Sequence, residues 1–124
     1  MGYMEKGKWW VSPSNYAEDV ASKFNFPEKI EILDTTLRDG EQQPGIIFTR
    51  QDKVNIAKKL AEVGVHRIEA GTPAVSQEDA DAIKEIVDLN LGPKTFCFVR
   101  NMVKDMELAK KCGVDGVLAE EIGR

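Results

Sequence analysis

The stretch "LDTTLRDGEQQPG", residues 33–45, decides how this chain is read. The apolar positions Ile30, Ile32 and Leu33 give way at once to Asp34, Thr35, Thr36, Arg38, Asp39, Glu41, Gln42 and Gln43, closed by Pro44-Gly45. Ile30–Leu33 has the composition of a short buried strand. So many hydrogen-bonding groups directly behind a strand mark a strand end of the kind where parallel α/β folds carry their chemistry. Gly40, next to Asp39, lets the backbone pass close to a ligand.

Downstream of that stretch the chain alternates. Thr49 with Asp52 forms a capping box for a helix whose apolar stripe is Val54, Ala57, Leu60 and Ala61, stopped by Gly64. Val65–Ala70 reads as a second strand. Ser76 with Asp79 opens a second helix through Ala80, Ile83, Ile86 and Val87, broken by Gly92-Pro93. Thr95–Val99 is a third strand, residues 103–112 a third helix with Met102 and Met106 as core fillers, and Val114–Ala119 a fourth strand. "AEVGVHRIEA" (61–70) resembles "KKCGVDGVLA" (110–119), a faint repeat of helix end, glycine and strand. Strands alternating with helices of this length imply βα units and a parallel sheet, either a barrel or an open doubly wound sheet. Upstream, residues 1–29 form a leader rich in aromatics, with a helix predicted over about 13–25 from Ser12-Pro13 and ended by Pro27. The domain reading is therefore a leader over 1–29 and an α/β domain over 30–124.

The bulk numbers exclude other classes. The 124 residues are 42% hydrophobic and 31% charged, ordinary for one globular domain. A net charge of −4 argues against nucleic acid or an acidic membrane as partner. The N-terminus lacks a signal-peptide core, no apolar run spans a membrane, and Cys97 and Cys112 lack metal-type spacing. The expectation is a cytoplasmic protein with reduced, buried thiols. Lys58-Lys59 and Lys110-Lys111 read as solvated helix faces.

Glu69 stands near the end of the second strand, in "IEAGTP", and Arg100 follows the third, in "FVRN". A carboxylate in a buried strand needs a cation, and Arg38 behind the neighbouring strand is the natural one. Carboxylates among hydroxyls and amides suit a hard divalent cation bound through oxygen. A guanidinium beside such an ion can hold a carboxylate or stabilise developing oxyanion charge, a pairing suited to a 2-oxo acid. On physics alone an Asp-Gly turn with a structural Arg38–Glu69 ion pair accounts for these residues equally well.

"LDTTLRDGEQQPG" followed by "IEAGTP" resembles the metallolyase superfamily built on the TIM barrel and named for an Asp-Arg-Glu signature, the HMGL-like or pyruvate carboxyltransferase domain. The match is to its condensing branch, the isopropylmalate, homocitrate and citramalate synthases, over about residues 28–120. The resemblance implies the N-terminal half of a (β/α)8 barrel, with about four parallel strands and three intervening helices behind the helical leader. It implies Asp39 as ligand of a divalent metal (Mg, Mn or Zn), Arg38 polarising the 2-oxo acid and stabilising the alkoxide, and Glu69 holding Arg38. Gln42, Thr72 and Arg100 match substrate-contact positions. The implied reaction takes an α-proton from an acyl-CoA, usually acetyl-CoA. The enolate then attacks the keto carbon, and thioester hydrolysis releases CoA. The implied setting is amino-acid biosynthesis in the cytoplasm.

The family completes its metal site with a His-x-His pair on a later strand, whereas the one histidine here, His66, opens the second strand and reads as structural. A whole barrel takes about 250 residues, so the expectation is the first half of a longer enzyme, or a half-barrel that assembles with another chain or as a homodimer. A carbon–carbon lyase of the hydroxymethylglutaryl-CoA type and a non-catalytic half-barrel binding metal or substrate are the alternatives.

Overall fold

The computed structural model describes residues 4–120, which divide into two compact units at Ile30/Glu31. In the first, β1 (Met4–Glu5) pairs antiparallel with β2 (Trp9–Trp10). A 3-10 turn (Pro13–Tyr16) and a four-residue α1 (Glu18–Ala21) follow. The single helix expected over 13–25 is therefore broken. Ala17 takes extended angles (φ −59, ψ 134) between the two pieces, and Ser12 makes no side-chain cap bond. A segment this short, burying none of its residues within either turn, lacks the packing that makes a short helix persist.

The second unit carries β3 (Leu33–Asp34), α2 (Arg50–Val63), β4 (Arg67–Glu69), α3 (Gln77–Asp88), β5 (Lys94–Arg100), α4 (Val103–Cys112) and β6 (Gly116–Glu120). The first strand, Leu33–Asp34, starts three residues later and ends one later than the expected Ile30–Leu33, and Ile30 and Ile32 stay exposed. The four strands are parallel in the order β3-β4-β5-β6. Chain order equals sheet order, with none of the reversal that defines a doubly wound sheet. Of the two architectures open from periodicity, this is half a (β/α)8 barrel.

The helices cover one face. Val54 and Ala57 of α2, Ile83 and Ile86 of α3, and Ala109 and Cys112 of α4 share one core with Ile68, Cys97 and Val99. Strand β5 alternates as the pleat demands: Thr95, Cys97 and Val99 face the helices, while Phe96 and Phe98 are half-buried on the other side. Register puts Glu69 beside Phe96, and Phe96 beside Gly116, on that second face. A Cβ at Gly116 would overlap the Phe96 ring.

Thr49 and Asp52 form the full expected capping box. At α3 the Ser76 hydroxyl accepts from the Asp79 N–H at 3.0 Å and donates to the Asp79 carboxylate, whose other oxygen is held by Lys53, and the box is not reciprocal. The repeat seen in the sequence has a physical basis: Gly64 and Gly113 end α2 and α4 at φ 90 and 79, a left-handed conformation that favours glycine. Met106 packs on the core, but Met102 is half exposed rather than a core filler, because it precedes the first turn of α4. The Lys58-Lys59 and Lys110-Lys111 pairs face solvent. Both cysteines are free and buried, and burial pushes the Cys97 thiol up to about 12. Among the described residues no helix is long and apolar enough to cross a membrane.

Candidate active site

The polar stretch behind β3 folds on itself first. Asp34 accepts from the Thr36 N–H at 2.9 Å and from its hydroxyl at 3.2 Å, an Asx-type turn. The Thr35 carbonyl then gathers the N–H groups of Arg38, Asp39 and Gly40 at 3.1, 2.8 and 3.4 Å. That helical turn buries Leu37 completely and sends Arg38 over the sheet. A 3-10 turn, Gly40–Gln42, continues it with Asp39 at its start.

Arg38 grips Glu69 with two nitrogens, Nε to Oε1 at 2.8 Å and Nη2 to Oε2 at 3.2 Å. Glu69 is wholly buried in β4. Such a carboxylate persists only when paired and hydrogen-bonded, and the planar guanidinium fork supplies both. The bond to Glu69 holds the Arg38 pKa above its ordinary value against the opposing pull of burial. The guanidinium also lies 5.5 Å from the centre of the Phe98 ring. The Arg38–Glu69 partnership expected from the sequence is thus present.

The remaining nitrogen, Nη1, donates to Asp39 Oδ1 at 2.9 Å and more loosely to Gln42 Oε1 at 3.4 Å. Arg38, Asp39, Gln42 and Glu69 therefore form one connected cluster. Of the five guanidinium hydrogens, four are engaged among the described residues, leaving one on Nη2 and the long Gln42 contact as the displaceable pair. The Asp39 side chain is 65% exposed, with its second oxygen open. Arg38 and Gln42 also line a cavity of about 180 Å³ with Leu37, Gly71, Thr72 and Val75, which places Thr72 at the same end of the sheet.

Arg100 stands apart. Its Nε and Nη2 grip Asp105 at 2.7 and 2.9 Å, and its backbone N–H reaches the same carboxylate at 3.3 Å. It lines a different cleft, with Ser76, Lys104 and Lys111. His66 is a structural histidine: its Nδ1 accepts from the Ile32 N–H at 3.0 Å and ties β3 to the start of β4.

Sequence reasoning missed Lys53. It is 2% exposed within α2, where its ammonium bonds Glu41 Oε2 at 2.8 Å and the Asp79 carboxylate. Burial pulls its pKa down, but Asp79 and Glu41 outweigh that and leave it above the ordinary lysine value. The available signal was a lysine next to Val54 in the apolar stripe of α2.

A hard divalent cation would find at this strand end the open oxygen of Asp39 and the amide of Gln42. Among the described residues no three His, Cys, Asp or Glu side chains gather as a metal cluster. The donor set suits an oxygen-loving cation and supplies only part of a coordination sphere.

Residues 29–119 match the HMGL-like family. The chain is similar to homocitrate synthase AksA of Methanothermobacter thermautotrophicus, 40% identical over 111 residues, covering 90% of this chain and 27% of that protein. It is 46% identical over 93 residues to 2-isopropylmalate synthase of Methanocaldococcus jannaschii, covering 75% and 18%. Homocitrate synthase subunit alpha of Clostridium pasteurianum is 48% identical over 86 residues, covering 69% and 32%. The chain spans less than a third of the length of these relatives.

Proposed function

The chain belongs to the HMGL-like family, and on that premise we propose that it works in a divalent-metal-dependent synthase joining an acyl-CoA, of the acetyl-CoA kind, to a 2-oxo acid. The observation that carries this is the Arg38 fork on fully buried Glu69, with its remaining nitrogen turned to Asp39 and Gln42 at one strand end. Glu69 fixes the guanidinium in place without using all its donors. Among the described residues Arg38 keeps one uncommitted N–H and one weakly committed N–H for the substrate. Donors already aimed at a keto oxygen as it becomes an alkoxide require no reorganisation during bond formation, which is where such groups speed reactions most.

Asp39 would be one carboxylate ligand of the divalent ion, which when bound supplies Lewis acidity to the 2-oxo acid oxygens. Gln42 holds the substrate by the amide that now faces Arg38, and Thr72 closes the cavity from the β4 side. Arg100, committed to Asp105, is read as an anchor of α4.

The test is CoA release in the whole protein, from acetyl-CoA and a panel of 2-oxo acids, with and without added Mg²⁺, Mn²⁺ or Zn²⁺. The reading expects release that depends on both a 2-oxo acid and the metal, and that Asp39→Asn abolishes. Undiminished release from Asp39→Asn would remove Asp39 from the metal site.

A further inference from the structure

Lys53 lies at the meeting point of three elements that approach the site from different parts of the chain. Its ammonium comes from α2, Asp79 from the first turn of α3, and Glu41 from the 3-10 turn between Asp39 and Gln42. An ammonium so buried is retained only where carboxylates replace its water, and here two do. The second oxygen of Glu41 accepts the Phe48 N–H at 3.1 Å. One carboxylate thus pins both the 3-10 turn and the far end of the loop that follows it.

Two consequences reach the site. Glu41 is drawn inward to Lys53, so its neighbours Asp39 and Gln42 are turned outward to Arg38. Lys53 also pairs with Glu41, a carboxylate that lines the same cavity as Arg38. A guanidinium binds carboxylates bidentately, so a Glu41 released from Lys53 would be a second such partner near Arg38.

We infer that Lys53 is a positioning residue: by holding Glu41 away from Arg38, it fixes the relative placement of Arg38, Asp39 and Gln42. The inference rests on the proposed reading of Asp39 as a metal ligand and of Arg38 as the 2-oxo acid contact. Lys53 itself touches no substrate.

The test uses the whole protein and three variants: Lys53→Met, the double Lys53→Met/Glu41→Gln, and Lys53→Gln. Calorimetric titration with Mn²⁺ alone, KM and kcat for 2-oxo-acid-dependent CoA release, and hydrogen exchange at the Gln42 and Phe48 amides are read in parallel. Lys53→Met is expected to weaken Mn²⁺ binding about tenfold and to raise KM more than it lowers kcat, as loss of a group supporting a ligand does. The double variant should recover Mn²⁺ affinity to within about threefold of wild type while remaining thermally weakened, because Glu41→Gln removes the competing charge and its amide oxygen can still accept from Phe48. A purely structural lysine would not be rescued that way.

The inference is overturned if Lys53→Met changes thermal stability alone, or if the double variant binds Mn²⁺ no better than the single. Should Lys53→Met not fold, Lys53→Gln decides: faster exchange at Gln42, whose amide is not bonded to Glu41, with weaker Mn²⁺ binding supports the inference, and either value unchanged overturns it. If wild type neither binds Mn²⁺ nor releases CoA, the functional reading fails by itself. The exchange rates at Gln42 and Phe48 then still decide whether Lys53 holds this turn.

Discussion

Arg38 follows β3 and Arg100 ends β5, and each grips a carboxylate with Nε and Nη2. The partner makes the difference. Glu69 lies 31 residues from Arg38, in the adjacent strand, and is wholly buried. Asp105 lies five residues from Arg100, in the first turn of the helix that follows its own strand. The first pair ties two βα units together and leaves a guanidinium nitrogen for Asp39 and Gln42. The second is local and ties the end of β5 to the first turn of α4. A strand-end arginine is thus a candidate for chemistry when its carboxylate is imported from the neighbouring strand and some of its donors are left over.

The largest expected effect breaks the first pair. Arg38→Ala strands a wholly buried carboxylate without its cation, a change that costs about 3–5 kcal/mol in chemical denaturation. A loss well under that would mean the pair contributes little to folding. A smaller effect sharpens the helix side of the comparison. Thr49→Ala removes the hydroxyl that accepts the Asp52 N–H and should cost about 1 kcal/mol, with CoA release per folded molecule unchanged. The smallest concerns Asp105. Its bond to Arg100 holds the carboxyl below the usual aspartate range. A depressed folded pKa stabilises above the unfolded value of about 3.9 and loses that contribution as pH falls through the folded one. The stability gap between wild type and Asp105→Asn should therefore be present at neutral pH and close on acidification below about pH 4. A gap that widened in acid would contradict the pairing. Arg100→Ala should act in the same direction, mainly on stability. If it lowered kcat/KM as far as a change at Arg38, the contrast between the two arginines would collapse.

Much of this was legible. Thr49/Asp52, Gly64 and Gly113 marked helix ends through local chemistry, which acts over a few residues and is written in order along the chain. The Arg38–Glu69 pair was legible for another reason: a carboxylate inside an apolar strand demands a cation, and the strand before it offered one. The Arg100–Asp105 pair was not legible, because the sequence does not rank a local partner against a distant site. Lys53 was missed because its partners lie 12 residues before it, on Glu41, and 26 after it, on Asp79. Only the packing of α2 against α3 and of the 3-10 turn beside them brings the three together. The leader helix failed because Ser12-Pro13 is a good start signal, but no apolar face within that unit rewards its continuation.

The most direct test of the account is the kcat/KM for metal-dependent CoA release in the whole protein carrying Arg38→Lys. Lysine keeps the charge but loses the fork, so it serves Glu69 or the substrate and not both. The account expects a loss of about 100-fold or more. Activity within about threefold of wild type would show that the guanidinium geometry is not what this strand end contributes to the reaction.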